Sequence, residues 1–139
     1  MPKLIFLNVD LDMMFDKEPK VLLRELKRRV IVLYSGEHLK GHLVALELNS
    51  LTRDAHKTMC RWIKLLGTLS PAAQREFRQA SSRAFDLGYE VGGEEKSVQI
   101  ELPKEHLAEL AKLGASYAVT LYAADPEIPV VKVRKCFRT

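Results

Sequence analysis

Residues 4–12 read Leu-Ile-Phe-Leu-Asn-Val-Asp-Leu-Asp, an alternating pattern that becomes polar on one side toward its end. Successive side chains of a β-strand point to opposite faces of the sheet. One face of this strand would carry only apolar side chains, those of Ile5, Leu7, Val9 and Leu11. The other would carry Phe6, Asn8, Asp10 and Asp12. Because carboxylates are costly to bury without partners, the pattern predicts a sheet covered by helices on the first face and open on the second.

Hydrophobic periodicity along the rest of the chain predicts an α+β domain. Apolar residues three and four apart indicate helices, and alternating apolar residues indicate strands. We predict helices at 16–28, 50–67, 70–84 and 103–114, and further strands at 30–34, 42–49, 85–91, 97–102 and 117–123. The resulting order, β-α-β-β-α-α-β-β-α-β, favours one sheet of about six strands. It is a split β-α-β arrangement, ferredoxin-like in spirit, with helices mainly on one face.

Size and composition are typical of one small domain. The chain has 139 residues, 47% of them hydrophobic, and a formal net charge of +4. We predict a single α+β domain over residues 1–125 and a basic tail or edge strand over 126–139. No apolar run approaches the ~20 residues of a membrane helix, and the first residues do not resemble a signal peptide, so we expect a cytoplasmic protein. The two cysteines, Cys60 and Cys136, are expected to be free thiols.

The Asp-Leu-Asp motif at 10–12 resembles the first motif of the haloacid-dehalogenase-type phosphatases. The resemblance implies a nucleophilic Asp10, an acid/base Asp12 and a magnesium ion. It covers this stretch alone, because methionines follow where that family has small or hydroxylic residues and no later acidic pair is recognisable. A magnesium site of another kind would need a third carboxylate from a neighbouring strand, such as Glu47 or Glu101. A metal-dependent hydrolase at Asp10 and Asp12 is therefore the third hypothesis for function.

Other catalytic patterns are missing from the sequence. It has no Gly-x-Ser-x-Gly motif for a nucleophilic serine and no glycine-rich phosphate loop, so it predicts neither catalytic residues nor a cofactor. His38 and His42 are expected on an exposed hairpin loop. His56 and His106 are expected on helix surfaces without partners, and Cys60 in the core.

The leading hypothesis is a non-enzymatic protein-binding module that uses the open sheet face. If the strands pair as drawn, this face is polar and rich in acids. Its predicted partner-binding residues are Asn8, Asp10, Asp12, Glu47, Asn49, Gln99, Glu101 and Tyr122. An acidic surface suits a basic partner and fast association. The size and this surface are similar to those of bacterial toxin-neutralising (immunity) proteins, and an adaptor is the other form of this hypothesis.

The alternative hypothesis is a small nucleic-acid-associated protein. Basic residues crowd the first predicted helix and the tail, where they would contact phosphates. The residues concerned are Lys20, Arg24, Lys27, Arg28, Lys132, Arg134 and Lys135. The sequence also leaves open a homo-oligomer in which a second copy covers the sheet face.

Overall fold

The computed structural model describes residues 3–39, 41–50, 52–93 and 97–124. Strands and helices follow one another in a nearly regular alternation. In chain order they are β1 (Lys3–Phe15), α1 (Lys20–Leu26), β2 (Val30–His38), β3 (Gly41–Leu48), α2 (Ala55–Gly67), α3 (Pro71–Gln79), β4 (Ser82–Gly92), α4 (Lys104–Lys112) and β5 (Ser116–Ala123). None of the described helices is long and apolar enough to cross a membrane.

The strands form a single mixed sheet in the order β2-β3-β1-β4-β5. All neighbouring strands are antiparallel except β4 and β5, which are parallel. The first four strands, with their two helical crossovers, are the split β-α-β arrangement, and the α4–β5 unit extends it at the β4 edge. The predicted α+β class and single sheet are confirmed.

The helices pack on one face of the sheet, as the sequence predicts. Buried side chains from all of them join one apolar cluster with the sheet. These side chains include Leu22 and Leu26 of α1, Trp62 of α2, Phe77 of α3 and Leu110 of α4. On β1 the cluster contains Val9 and Leu11. Asp10 and Asp12, which alternate with these residues, therefore lie on the opposite face, which we call the helix-free face.

A β-bulge in β1 overturns part of the predicted alternation. The register against β4 shifts between Phe6 and Asn8, so that Leu7 is the extra residue. A bulge reverses the faces of the residues before it. Phe6 therefore packs edge-on against the buried Tyr89, at 5.7 Å between ring centroids. The prediction that Ile5 and Leu7 lie in the core is wrong, since they are 38% and 42% exposed.

The segment predicted as a strand at 97–102 has no regular secondary structure. Its alternation is nevertheless real, because Ile100 and Leu102 pack against the core while the residues between them are exposed. One-sided packing of an extended segment produces the same pattern as a strand without any pairing. Within the described residues the sheet has five strands, and the predicted tail or edge strand over 126–139 lies outside them.

Candidate functional site: the helix-free face of the sheet

Four carboxylates lie together in the middle of the helix-free face. Asp10 on β1 is paired directly with Glu47 on β3 and with Asp86 on β4. Asp12 lies on the same face two residues along β1. We call Asp10, Asp12, Glu47 and Asp86 the acidic cluster. Like charges directly opposite each other in a sheet are destabilising.

Two cross-strand rows of the sheet define the surroundings of this cluster. The first row crosses all five strands as Ile31, Glu47, Asp10, Asp86 and Ala118. The second row crosses them as Tyr34, Ala45, Asp12, Ala84 and Ser116. Carboxylates thus occupy the middle strands, small residues lie toward β5, and apolar side chains lie on the β2 edge.

A third row explains the place of Asn8. Asn8 pairs with Gly88, and a Cβ at Gly88 would come within 2.6 Å of the Asn8 Oδ1 atom, so only glycine leaves room for this side chain. Beside them, the buried Thr120 donates a hydrogen bond of 2.7 Å from Oγ1 to Asp86 Oδ1. This bond holds Asp86 in place from β5.

Asp10 is the most perturbed acid of the cluster. Its Oδ1 atom is buried and has no hydrogen-bond partner among the described residues. The pKa of Asp10 is raised from 3.8 to about 7, first because burial disfavours the ionised form and then because Glu47, Asp12 and Asp86 repel its charge. Near neutral pH this carboxyl group is thus only partly ionised. A cation placed against it would favour the ionised form and lower its pKa.

We expect Asp10→Asn to stabilise the protein in a pH-dependent manner. Because the pKa is raised on folding, the native state binds the Asp10 proton more tightly than the unfolded chain, and this carboxyl lowers the stability as pH rises from about 4 to 7. Asparagine does not titrate. The free energy of unfolding should therefore rise by about 1–2 kcal/mol at pH 8, a value reduced from the full shift because the group is partly hydrated, and by almost nothing near pH 4.

Urea denaturation of both proteins between pH 4 and pH 8 measures this difference. Asp16→Asn is the matched control, since Asp16 is an exposed acid outside the cluster. An Asp10→Asn variant that is no more stable than the native protein at pH 8 would contradict the electrostatic description of the cluster.

Apolar and aromatic side chains flank the acidic cluster at both ends of the face. On the edge strand β2, Ile31 is 49% exposed and Tyr34 is 45% exposed. At the other end, the bulge places Ile5 in register with Glu90, which in turn pairs with Tyr122 on β5. Exposed apolar side chains thus lie on both sides of the charged centre.

The structure brings together most of the predicted partner-binding residues but not all of them. Asn8, Asp10, Asp12, Glu47 and Tyr122 share the helix-free face. The other three predicted residues are elsewhere: Asn49, Gln99 and Glu101. Asn49 donates a hydrogen bond of 2.6 Å from Nδ2 to the Arg28 carbonyl, which ties it to the α1–β2 connection. Gln99 and Glu101 lie in the unpaired segment before α4, so the prediction that they extend the sheet surface is wrong.

Asp86, Ile31 and Ile5 belong to the face although they were not among the predicted site residues. The alternation in 85–91 does place Asp86 opposite the apolar side of its strand. Only the strand order, with β4 beside β1, makes it a neighbour of Asp10. That order depends on the long crossover through α2 and α3, which no local pattern encodes.

The basic residues fall into two groups. Lys20, Arg24, Lys27 and Arg28 are exposed on or just after α1, as predicted. Lys132, Arg134 and Lys135 lie outside the described residues. Near the end of α1 a groove of about 560 Å³ is lined by Arg29, Arg61 and Lys64, together with Glu25 and neighbouring polar residues. This groove lies among the helices, away from the acidic cluster.

A second cluster of titratable side chains joins α2 and α4. His56 and Cys60 are four residues apart on α2, and both are exposed. His106 on α4 is 3% exposed. The prediction of a buried Cys60 and a surface His106 is therefore wrong. His106 is the buried member of the cluster, because α4 packs beside α2 and stacks this ring on that of His56. Burial lowers the pKa of His106, and the nearby His56 lowers it further, while Glu105 opposes the shift.

Among the described residues, His56, Cys60 and His106 are the set of His, Cys, Asp or Glu side chains whose ligand atoms come within 4.8 Å of one another. No three carboxylates of the acidic cluster meet this distance among the described residues. The arrangement of Asp10 and Asp12 therefore lends no geometric support to a magnesium-dependent hydrolase. Comparisons of this chain with protein-family models, with curated proteins and with solved structures find no match.

Proposed function

We propose that this protein binds a basic partner protein through the helix-free face of its sheet. The observation that carries the proposal is the buried, unpartnered Oδ1 atom of Asp10 in the middle of the acidic cluster. Groups of this kind are costly, and they are expected where a ligand completes the site. A cationic side chain of a partner would give this oxygen a hydrogen bond and favour the ionised form of Asp10.

The chemistry of the cluster favours a guanidinium group as that cation. Carboxylates on neighbouring strands offer several acceptor oxygens at one place. An arginine side chain presents donors in a rigid planar fork that matches such oxygens, and it loses less hydration energy on burial than an ammonium group does. The partner surface is therefore expected to place one or more arginines over Asp10 and Glu47.

The apolar flanks favour a protein over a small cation. Tyrosine and arginine are enriched in protein interfaces, while aspartate and glutamate are depleted unless the partner compensates their charge. Ile31 and Tyr34 on one side of the cluster and Ile5 and Tyr122 on the other supply the contact area that a small ion would not use. A toxin-neutralising protein and an adaptor are the two roles that fit such a surface.

Charge reversal within the cluster tests this proposal. We expect the double variant Asp10→Lys with Glu47→Lys to fold, because a lysine at position 10 replaces repulsion by attraction to Asp12 and Asp86. The same variant should lose the partner, because two positive charges would face the partner's basic side chains. Such like-charge contacts cost several kcal/mol across an interface.

The measurement is a pull-down of tagged protein from the native host, with and without nuclease treatment, read by mass spectrometry. Asp16→Lys with Glu18→Lys is the matched control, since it makes the same charge change at exposed residues before α1. The proposal expects one basic protein, recovered in near-equal amount by the native protein and the control but not by the double variant. Equal recovery by the double variant, or recovery of nothing except the protein itself, would overturn it.

Nucleic-acid binding is the second candidate, and the groove lined by Arg29, Arg61 and Lys64 is the observation that favours it. Together with the exposed basic residues of α1, it offers several cations to phosphate groups. This candidate predicts affinity for RNA or DNA that falls steeply with salt. In the pull-down it would appear as ribosomal or DNA-associated proteins that disappear after nuclease treatment and are unaffected by the charge-reversed double variant.

A further inference from the structure

We propose that His56, Cys60 and His106 form a binding site for a transition-metal ion, with Zn²⁺ as the best match, between α2 and α4. This inference is independent of the proposed function, because the three residues lie in the helix layer on the other side of the sheet from the acidic cluster. It rests on the distances between the donor atoms, on their chemistry and on the burial of His106.

The distances between donor atoms fit tetrahedral coordination. The Cys60 Sγ atom is 3.5 Å from His106 Nε2 and 3.8 Å from His56 Nε2. Zinc binds sulfur at about 2.3 Å and imidazole nitrogen at about 2.0–2.1 Å, so a tetrahedral angle places a sulfur and a nitrogen ligand about 3.6 Å apart. Both sulfur–nitrogen distances are therefore close to the value for a zinc site, and the ligand atoms of all three residues lie within 4.8 Å of one another.

The sequence spacing supports the same site. Residues four apart on a helix project from the same side, which is how His56 and Cys60 come together on α2. The third donor is His106, in the first turn of α4. Its imidazole stacks on the ring of His56 at 4.4 Å between centroids. Two donors from one helix and one from its neighbour would cross-link the α4–β5 unit to the rest of the helix layer.

Hydrogen bonds alone explain the close approach of these three side chains less well than a bound metal ion does. A thiol is both a weak donor and a weak acceptor, so its hydrogen bonds to two imidazoles would be weak. In addition, His106 is 3% exposed, and its Nδ1 atom is buried without a hydrogen-bond partner among the described residues. Burial of an imidazole with an unsatisfied nitrogen is costly. A metal ion at Nε2 would bind the neutral imidazole that burial favours and would fix Nδ1 as the N–H nitrogen of the ring.

The donor set selects the class of metal. One thiolate and two imidazoles suit borderline and soft ions such as Zn²⁺ or Co²⁺, and they disfavour Mg²⁺ and Ca²⁺, which prefer oxygen. Binding would release the Cys60 thiol proton to solvent, since the metal takes the thiolate. Three protein ligands leave the fourth tetrahedral position of zinc open. Because His56 and Cys60 are exposed, that position faces solvent and is expected to hold water.

Titration of the chelator-stripped, full-length protein with Co²⁺ and with Zn²⁺ tests the proposal. We expect one ion per chain, a thiolate-to-cobalt charge-transfer band, and displacement of cobalt by zinc. The experiment is best made in a Cys136→Ser background, where Cys60 is the only remaining thiol. Zinc should also raise the melting temperature of this protein, which reports binding without any assumption about activity.

Substitution of the exposed ligands separates a metal site from nonspecific binding. Cys60→Ser should abolish the charge-transfer band, and Cys60→Ser or His56→Asn should weaken zinc binding by at least about tenfold, the loss that even an outer-shell partner can cause. His38→Asn, at an exposed histidine outside the cluster, should change nothing. Absence of the band in the Cys136→Ser protein, its persistence in Cys60→Ser, or equal zinc affinity in all variants would overturn the proposal.

Discussion

Trp62→Ala is expected to lower the free energy of unfolding by about 3–5 kcal/mol, the range measured for removal of large aromatic side chains from cores. Trp62 is completely buried and lies edge-on to Phe85, with 6.0 Å between ring centroids. Its Nε1 atom donates a hydrogen bond of 3.0 Å to the carbonyl oxygen of Val9. The substitution removes both the packing and the partner of a buried carbonyl. Chemical denaturation followed by circular dichroism would measure the loss.

Trp62→Phe separates the two contributions, because it keeps an aromatic ring and removes the donor. We expect it to cost about 1–3 kcal/mol, the penalty for an unsatisfied buried carbonyl. The Val9 carbonyl belongs to the peptide bond that leads into Asp10, so this hydrogen bond also fixes β1 against α2 beside the acidic cluster. A cost below 1 kcal/mol for Trp62→Ala would mean that α2 does not pack on β1 as described.

Arg83→Leu is expected to lower the free energy of unfolding by about 2–3 kcal/mol, since hydrogen bonds to a charged group contribute more than neutral ones. Arg83 lies at the start of β4 and connects the ends of two helices. Its guanidinium donates hydrogen bonds to the carbonyls of Phe77, Arg78, Ala80, Leu113 and Gly114. Leucine would leave the carbonyls at the ends of α3 and α4 without this donor.

Arg83→Lys should recover only part of this stability, because an ammonium group cannot reach carbonyls on two separate helices at once. The Arg83 guanidinium also requires glycine at position 114. The φ of +64° there favours glycine, and a Cβ would lie 2.7 Å from Arg83 Nη2. Arg78→Leu is the control, as Arg78 is an exposed arginine of α3. Similar stabilities for the Arg83→Leu and Arg78→Leu variants would show that the helix ends do not depend on Arg83.

Local signals in the sequence predicted most of the elements. The helix predicted at 70–84 begins as expected, with Ser70 Oγ accepting a hydrogen bond from the Ala73 amide. It ends earlier, at Gln79, because β4 already begins at Ser82. The helix predicted at 50–67 begins later than expected, at Ala55. Asp54 caps this helix by accepting a hydrogen bond from the Lys57 amide. Several neighbouring polar residues can serve as the N-cap of a helix, so the sequence alone does not show which of them does.

The errors arise where tertiary structure decides between local alternatives. The bulge at Leu7 reverses the faces of Ile5 and Phe6, and no residue in the alternating pattern marks its position. The end of β1 was predicted near Asp12, yet pairing with β3 and β4 extends it to Phe15. A strand continues as long as its neighbours supply partners, which the sequence of one strand does not specify.

In the candidate site, too, local patterns predicted some residues and tertiary structure decided the others. Alternation alone placed Asn8, Asp10 and Asp12 on one face, and the hairpin added Glu47. Asp86 and the His56–Cys60–His106 cluster required the packing of elements far apart in the chain. Residues 56 and 106 carry no signal that would pair them, since only the docking of α4 on α2 brings them together.

The pH titration of the Asp10 side-chain carboxyl, followed by nuclear magnetic resonance in the free protein and in complex with its captured partner, tests the proposed role of the helix-free face most directly. The account predicts a midpoint near pH 7 in the free protein. In the complex it predicts a midpoint well below that value, because a partner cation would favour the ionised form. An ordinary midpoint near pH 4 in the free protein, or a midpoint that the partner leaves unchanged, would contradict the account.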